Sequence, residues 1–282
     1  MLTLLAMLAF AANSLLCRLA LGGELIDAAS FTTVRLIAGA VTLALIAAPR
    51  WRTRGRARAD WRAATMLFAY MAFFSFAYLT LSAGTGALIL FGAVQLTMFI
   101  VALSGGERFP LLSWAGLALA LFGLVYLVSP GLTAPDPVGA LLMAIAGIAW
   151  GLYSLLGRGV ADPVESTANN FIYAVPLAIP ASLLFMNSFH GSWRGFTLAA
   201  ISGAITSGLG YVIWYAALRR IAATHAAVVQ LSVPMIAACG GALLLSEQIT
   251  PRMLLASAAT LGGIWIVLLQ RSGRDQRPVR IE

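Results

Sequence analysis

The chain has 282 residues, of which 61% are hydrophobic and only 10% charged, and its mean hydropathy is +0.91. A soluble domain carries about 25% charged and about 45–50% apolar residues, so a water-soluble fold is excluded and lipid must cover part of the surface. The net charge of +8 comes from 18 arginines without a single lysine, and these lie between apolar runs. That arrangement is a topology signal and excludes a nucleic-acid-binding face.

A helix needs about 20 mostly apolar residues to cross a hydrocarbon layer of about 30 Å. With charges, proline and glycine as punctuation, ten such segments are predicted: 2–20, 29–48, 63–82, 85–104, 111–129, 138–157, 167–187, 197–217, 223–245 and 252–269. The first is a retained helix despite its small-x-small Ala9-Phe10-Ala11, because no basic residue precedes it. Ser272 onward reads as a disordered polar tail. Cys17 and Cys239 sit within apolar segments, which implies neither a disulfide framework nor a metal site.

Arginine sets the orientation. With a cytoplasmic N-terminus, fourteen arginines, from Arg50 through Arg280, face inward, and only Arg18, Arg194 and Arg252 face outward. This bias puts both termini in the cytoplasm and requires an even number of spans. Arg35, about two turns inside the second span, is expected to snorkel outward or to pair with Glu24 or Asp27, a structural role favoured over substrate contact.

The chain also repeats itself. Ser14-Leu15-Leu16-Cys17-Arg18 recurs as Ser154-Leu155-Leu156-Gly157-Arg158, and the same offset of 140 carries Phe31 to Phe171, Glu107 to Glu247 and Gly123 to Gly263. The predicted fold class is therefore an all-α integral membrane protein of ten helices in two five-helix repeats, 1–130 and 138–269, followed by a basic cytoplasmic tail at 270–282. Five is odd, so the second repeat is inverted. Inverted repeats are the pattern of many secondary transporters, with a midplane site exposed alternately to the two sides.

At these residues the sequence resembles the drug/metabolite transporter superfamily, in its ten-helix form with two EamA-type domains. The resemblance spans about 4–269. It rests on Asn13, on Phe31-Thr-Thr-Val-Arg35, on Ala102-Leu-Ser-Gly-Gly-Glu107-Arg-Phe and Leu243-Leu-Leu-Ser-Glu247-Gln-Ile-Thr, and on Gly116, Gly123, Gly262 and Gly263. Trp150-Gly151 and Tyr215-Ala-Ala-Leu-Arg219-Arg220 match the second domain. The family's fourth-helix proline is kept as Pro234 but is Val94 in the first half. The resemblance implies export of amino acids, drugs or metabolites through a cavity formed by helices 1, 3 and 4 with 6, 8 and 9, while helices 5 and 10 serve as scaffold.

Polar groups in lipid are expensive and mark function. Asn13, Gln95 and Gln230 fall near mid-span, where they either bind substrate or hydrogen-bond between helices. Phe74, Tyr78, Phe91, Trp150, Tyr153, Tyr211 and Trp214 lie deeper than an interfacial belt. They either line a site for an apolar or aromatic ligand or are packing bulk. Pro176, Pro180 and Pro234 each remove a backbone hydrogen bond and are candidate flex points. His225, within the ninth span, is a candidate proton-sensitive group.

None of the ten acidic residues falls at mid-span, so a facilitator or uniporter is expected in preference to a proton- or sodium-coupled pump. No catalytic constellation, metal site, phosphate loop or cofactor motif is present in the sequence. The expected function is export of amino acids, aromatic or otherwise hydrophobic, from the bacterial cytoplasm across the inner membrane. The expected partners are that small molecule and the bilayer, without nucleic acid, and a monomer suffices. Efflux of drugs or organic cations is the alternative within transport, and a non-transporting membrane sensor is the alternative outside it.

Overall fold

Hydrocarbon offers the backbone no hydrogen-bond partner, so each crossing must satisfy its own N–H and C=O groups, as a helix does within one segment. The computed structural model describes residues 1–55, 58, 60–157, 160–218 and 228–275. Among these, the first seven long helices are α1 (Leu2–Leu21), α2 (Ala28–Arg54), α3 (Trp61–Ala77), α4 (Ala83–Ser104), α5 (Leu111–Val128), α6 (Pro137–Leu156) and α7 (Pro163–Leu184). The eighth, α8, is composite: Trp193–Ile201 leads into a π-helical stretch, Ser202–Leu209, and then into Gly210–Leu218. α9 (Ser232–Leu245) and α10 (Pro251–Asp275) complete the bundle. Nine described helices are long and apolar enough to cross a membrane, and α3, with 17 residues, is slightly shorter. The protein is an all-α, multi-pass membrane protein.

Why the carboxylates avoid mid-span is visible at the helix starts. Asp27, Asp60, Asp136 and Asp162 are N-caps, accepting from Ser30 N (2.8 Å), Ala63 N (3.0 Å), Gly139 N (2.6 Å) and Glu165 N (3.1 Å). Each satisfies a first-turn donor that the helix itself cannot reach.

Several boundaries differ from expectation. α2 runs through Pro49 to Arg54. α3 stops at Ala77, because Tyr78–Leu81 form a turn closed by Leu81 N to Ala77 O (3.1 Å) before Ser82 caps α4. α7 starts at Pro163, a residue suited to a first turn. α10 continues past 269, so the predicted tail begins as helix. The predicted ninth span breaks at Leu231. Pro234, three residues past that break, has no N–H to offer the Gln230 carbonyl of the helical residues 228–230, and the break falls between them. Pro176 and Pro180 do lie within α7, but both are exposed on its outer face.

The most extensive helix pairs recur when α1–α5 are exchanged with α6–α10, whereas the contacts of α4 with α1, α5 and α10 have no equally extensive counterpart. α3 against α6 becomes α8 against α1, α4–α6 becomes α9–α1, and α2–α8 becomes α7–α3. The pairs α5–α10, α2–α7 and α4–α9 map onto themselves. At the α5–α10 seam the reciprocity reaches single residues: Gly123 meets the Ala256 and Thr260 backbone, and Gly263 meets that of Gly116 and Ala120. Each of those partners is the other's counterpart at the offset of 140. Thr260 Oγ1 donates to Ala120 O across the seam (3.5 Å). Small residues at such seams let backbones touch where lipid supplies no hydrophobic drive.

A Cβ at position 263 would strike the Gly116 carbonyl, whereas one at 262 would meet nothing within 4 Å. Overpacking costs about 1–3 kcal/mol, worth roughly 2–10 °C for a chain of this size. Gly263→Val should lower the melting temperature in detergent by that amount, and Gly262→Val should leave it unchanged.

Candidate functional site

A narrow cavity of about 20 Å³, room for about one water molecule, lies where α1, α3, α4, α6 and α8 converge. Rings form most of its wall. Tyr70 of α3 meets Trp150 of α6 at 4.8 Å between centroids, and Trp150 meets Tyr211 of α8 at 5.2 Å. Phe10 of α1 adds an edge to Tyr211 at 6.1 Å, and Phe74 and Phe91 complete the apolar lining. Offset and edge-on contacts of this kind hold rings in register. They also make the space narrow, so a guest with an aromatic side chain requires the rings or their helices to part.

The remaining wall is polar. Asn13 Oδ1 accepts from Ser202 Oγ (2.8 Å) and Thr206 Oγ1 (3.2 Å), which ties α1 to the π-helical stretch of α8. Thr206 Oγ1 also lies 2.8 Å from Ser202 O, so its single proton is shared between two acceptors. The wide π-turn brings Thr206 and Ser207 to the cavity together. Such turns recur at functional sites.

Behind this wall lies Arg35, fully buried. It neither snorkels nor pairs with Glu24 or Asp27, contrary to expectation. Glu24 is exposed, and Asp27 is committed to capping α2 and to His190 N (3.4 Å). It also lies eight residues from Arg35, about 12 Å along the helix. Instead Arg35 Nε donates to Ser207 Oγ (3.2 Å) and Nη2 to Tyr70 OH (3.3 Å). The guanidinium carbon stands 5.1 Å from the Phe74 ring centroid and 5.5 Å from that of Tyr70, within cation–π range. Gly203 permits this arrangement, because any side chain there would collide with the Arg35 backbone.

The other candidates fall outside the cavity wall. Tyr153 is buried beside Trp150 (5.4 Å) and accepts from Asn170 Nδ2 at 3.4 Å. Trp214 packs edge-on to Phe10 at 5.8 Å. Gln95 lies in a separate apolar crevice between α4, α5 and α10, and Gln230 is half-buried at the end of the helical residues 228–230 that precede α9. His225 lies outside the described residues. Tyr78 is buried at the bundle end, where its hydroxyl donates to Ala83 O (3.2 Å).

That end is sealed. Arg18 Nε reaches Glu247 Oε1 at 3.1 Å, and Arg18 Nη1 donates to the carbonyls of Tyr78 (3.2 Å) and Leu79 (3.1 Å). Glu247 Oε2 accepts from Ala83 N at 2.9 Å, a carboxylate placed on the positive end of α4. One pair thus clasps α1, the α3–α4 turn and the α9–α10 connection. Both residues stand in the repeated motifs, but only the fold shows that they pair.

An aromatic cavity at the convergence of helices from both halves of a polytopic bundle, with one end clasped shut, is the architecture of a membrane transporter. The chain belongs to the EamA-like transporter family, within the drug/metabolite transporter superfamily. The family model matches residues 137–269. An uncharacterised protein of Pseudomonas aeruginosa is 52% identical over 98% of this chain and 96% of its own length. A probable terminal-alkyne amino-acid exporter of Streptantibioticus cattleyicolor is 26% identical over 87% of this chain and 86% of its own. A probable amino-acid metabolite efflux pump of Escherichia coli K12 is 26% identical over 72% and 73%. A crystal structure with 19% identity superposes with a TM-score of 0.68, covering 95% of this chain and 98% of that one, and shares the fold.

The clasp predicts a labelling result. Cys17 is buried next to Arg18, and Cys239, on α9, is exposed. With Cys239 replaced by Ser, Glu247→Gln should raise the rate at which a membrane-impermeant maleimide labels Cys17 several-fold, followed by gel shift. An unchanged rate would show that the pair does not hold this end closed.

Proposed function

We propose that the protein exports amino acids, aromatic or otherwise hydrophobic, from the cytoplasm across the bacterial inner membrane by alternating access. The observation that carries this reading is the cavity itself. Tyr70, Trp150 and Tyr211 offer ring faces to an apolar side chain, and Asn13 and Ser207 stand opposite with polar groups for a backbone-like head. The relatives named as amino-acid exporters and efflux pumps support the same class.

Two inverted repeats, 1–130 and 138–269, rock about their common seam in this account, and the major helix pairs that survive exchange of α1–α5 with α6–α10 support it. The arginine bias supports a cytoplasmic location for both termini and for the tail from 270. The Arg18–Glu247 clasp then closes the periplasmic end. Four carboxylates are spent on helix caps and Glu247 on the clasp, which favours a uniporter that follows the substrate gradient. A fully buried arginine beside the cavity disfavours organic cations.

Purified protein in liposomes should take up labelled phenylalanine, tryptophan or leucine. Trp150→Ala should reduce that uptake by tenfold or more, whereas Gln95→Ala, outside the cavity, should leave it within twofold. Collapse of the pH gradient at a fixed substrate gradient should not change the rate; a rate that falls to background would establish proton coupling. Absence of uptake for all three amino acids would remove the amino-acid reading.

A further inference from the structure

Arg35 is a cation without a counter-ion. It is fully buried, its Nη1 has no hydrogen-bond partner among the described residues, and no carboxylate pairs with it there. Bare charge within a membrane domain is costly, and natural chains retain it where it meets an ion or a substrate. Its two bonded neighbours, Tyr70 and Ser207, are both cavity-lining residues. In each bond the guanidinium is the donor, so each hydroxyl oxygen accepts and keeps its own proton to give. Neither hydroxyl donates to any group among the described residues. The geometry therefore sets two O–H donors, both polarised by one buried positive charge, at the edge of the cavity, and hydrogen bonds chained to a charge strengthen one another.

We propose that Tyr70 and Ser207, backed by Arg35, form an anion subsite that binds the carboxylate of the transported molecule, so that the cavity selects carboxylic acids over the matching amines. This rests on the export reading above and narrows it: the aromatic rings accept the side chain, and the Arg35 side of the cavity accepts the acid. The substrate carboxylate is the missing counter-ion. Phe74 lies over the guanidinium at 5.1 Å, and Gly203 keeps α8 close enough for Ser207 to reach Nε.

The test compares phenylalanine, phenylpyruvate and phenethylamine, which share one ring and differ in their charged ends. Binding is read as thermal stabilisation of the purified full chain in detergent, and transport as uptake into liposomes. Wild type should bind the two acids at least tenfold more tightly than the amine. Tyr70→Phe and Ser207→Ala, each removing one hydroxyl and little volume, should each cut acid affinity on the order of tenfold, the loss expected for a hydrogen bond to a charged group, with amine affinity unchanged. Arg35→Gln should abolish the acid preference, and if that variant does not fold, the two hydroxyl variants decide. Equal binding of acids and amine by wild type, or an acid preference that survives in both hydroxyl variants, would overturn the subsite. Preference for the acids without movement of any of them would sustain the subsite and overturn the export reading; uptake of phenethylamine in place of the acids would overturn the subsite and leave transport standing.

Discussion

The interior of this bundle is built around the inability of hydrocarbon to accept or donate a hydrogen bond. Several polar side chains placed between the two interfaces find their partners on other helices, and those partnerships help decide which helices meet. Asn13 joins α1 to α8 through Ser202 and Thr206. Arg35 joins α2 to α3 and α8 through Tyr70 and Ser207. The π-helical stretch Ser202–Leu209 is where the two clusters meet, and Gly203 admits α8 to α2 at the depth where the charge sits. The cavity opens beside this polar knot because the knot holds α1, α3 and α8 at fixed spacing while the bulk of Trp150 and Tyr211 keeps them from closing completely.

The same constraint explains what the sequence alone makes legible. Charges and caps sit where water begins, so apolar runs separated by aspartates and arginines mark the spans, and the offset of 140 links the residues that face each other at the α5–α10 seam. Side-chain direction is another matter. α4 is apolar nearly all round, so no periodicity tells which face looks inward. Phe91 lines the cavity, and Gln95, one turn further on, falls in a crevice against α5 and α10. Rotation about each helix axis is set by packing with distant segments, which a local pattern does not contain.

Arg35 shows the limit most plainly. Nearby acids, Glu24 and Asp27, are the obvious partners in sequence, yet its actual ones are 35 and 172 residues away. A charge without an adjacent opposite charge in an apolar run was itself the signal. The small polar run Ser202, Thr206 and Ser207 was a second one, since three hydroxyls so close together seldom occur in lipid-facing helix. Read jointly, they mark a buried polar site, although nothing local says that the two belong together.

The reciprocal seam between α5 and α10 has a geometric consequence for motion. Residues 140 apart, such as Ala120 and Thr260, lie across from their own counterparts. If the second state of the protein is the first with the roles of its halves exchanged, the separation of any such self-mated pair is identical in both states. These positions then form a stationary axle. Displacement must be carried by pairs that map elsewhere, and the Arg18–Glu247 clasp, which is not self-mated, is free to open while the seam stays shut.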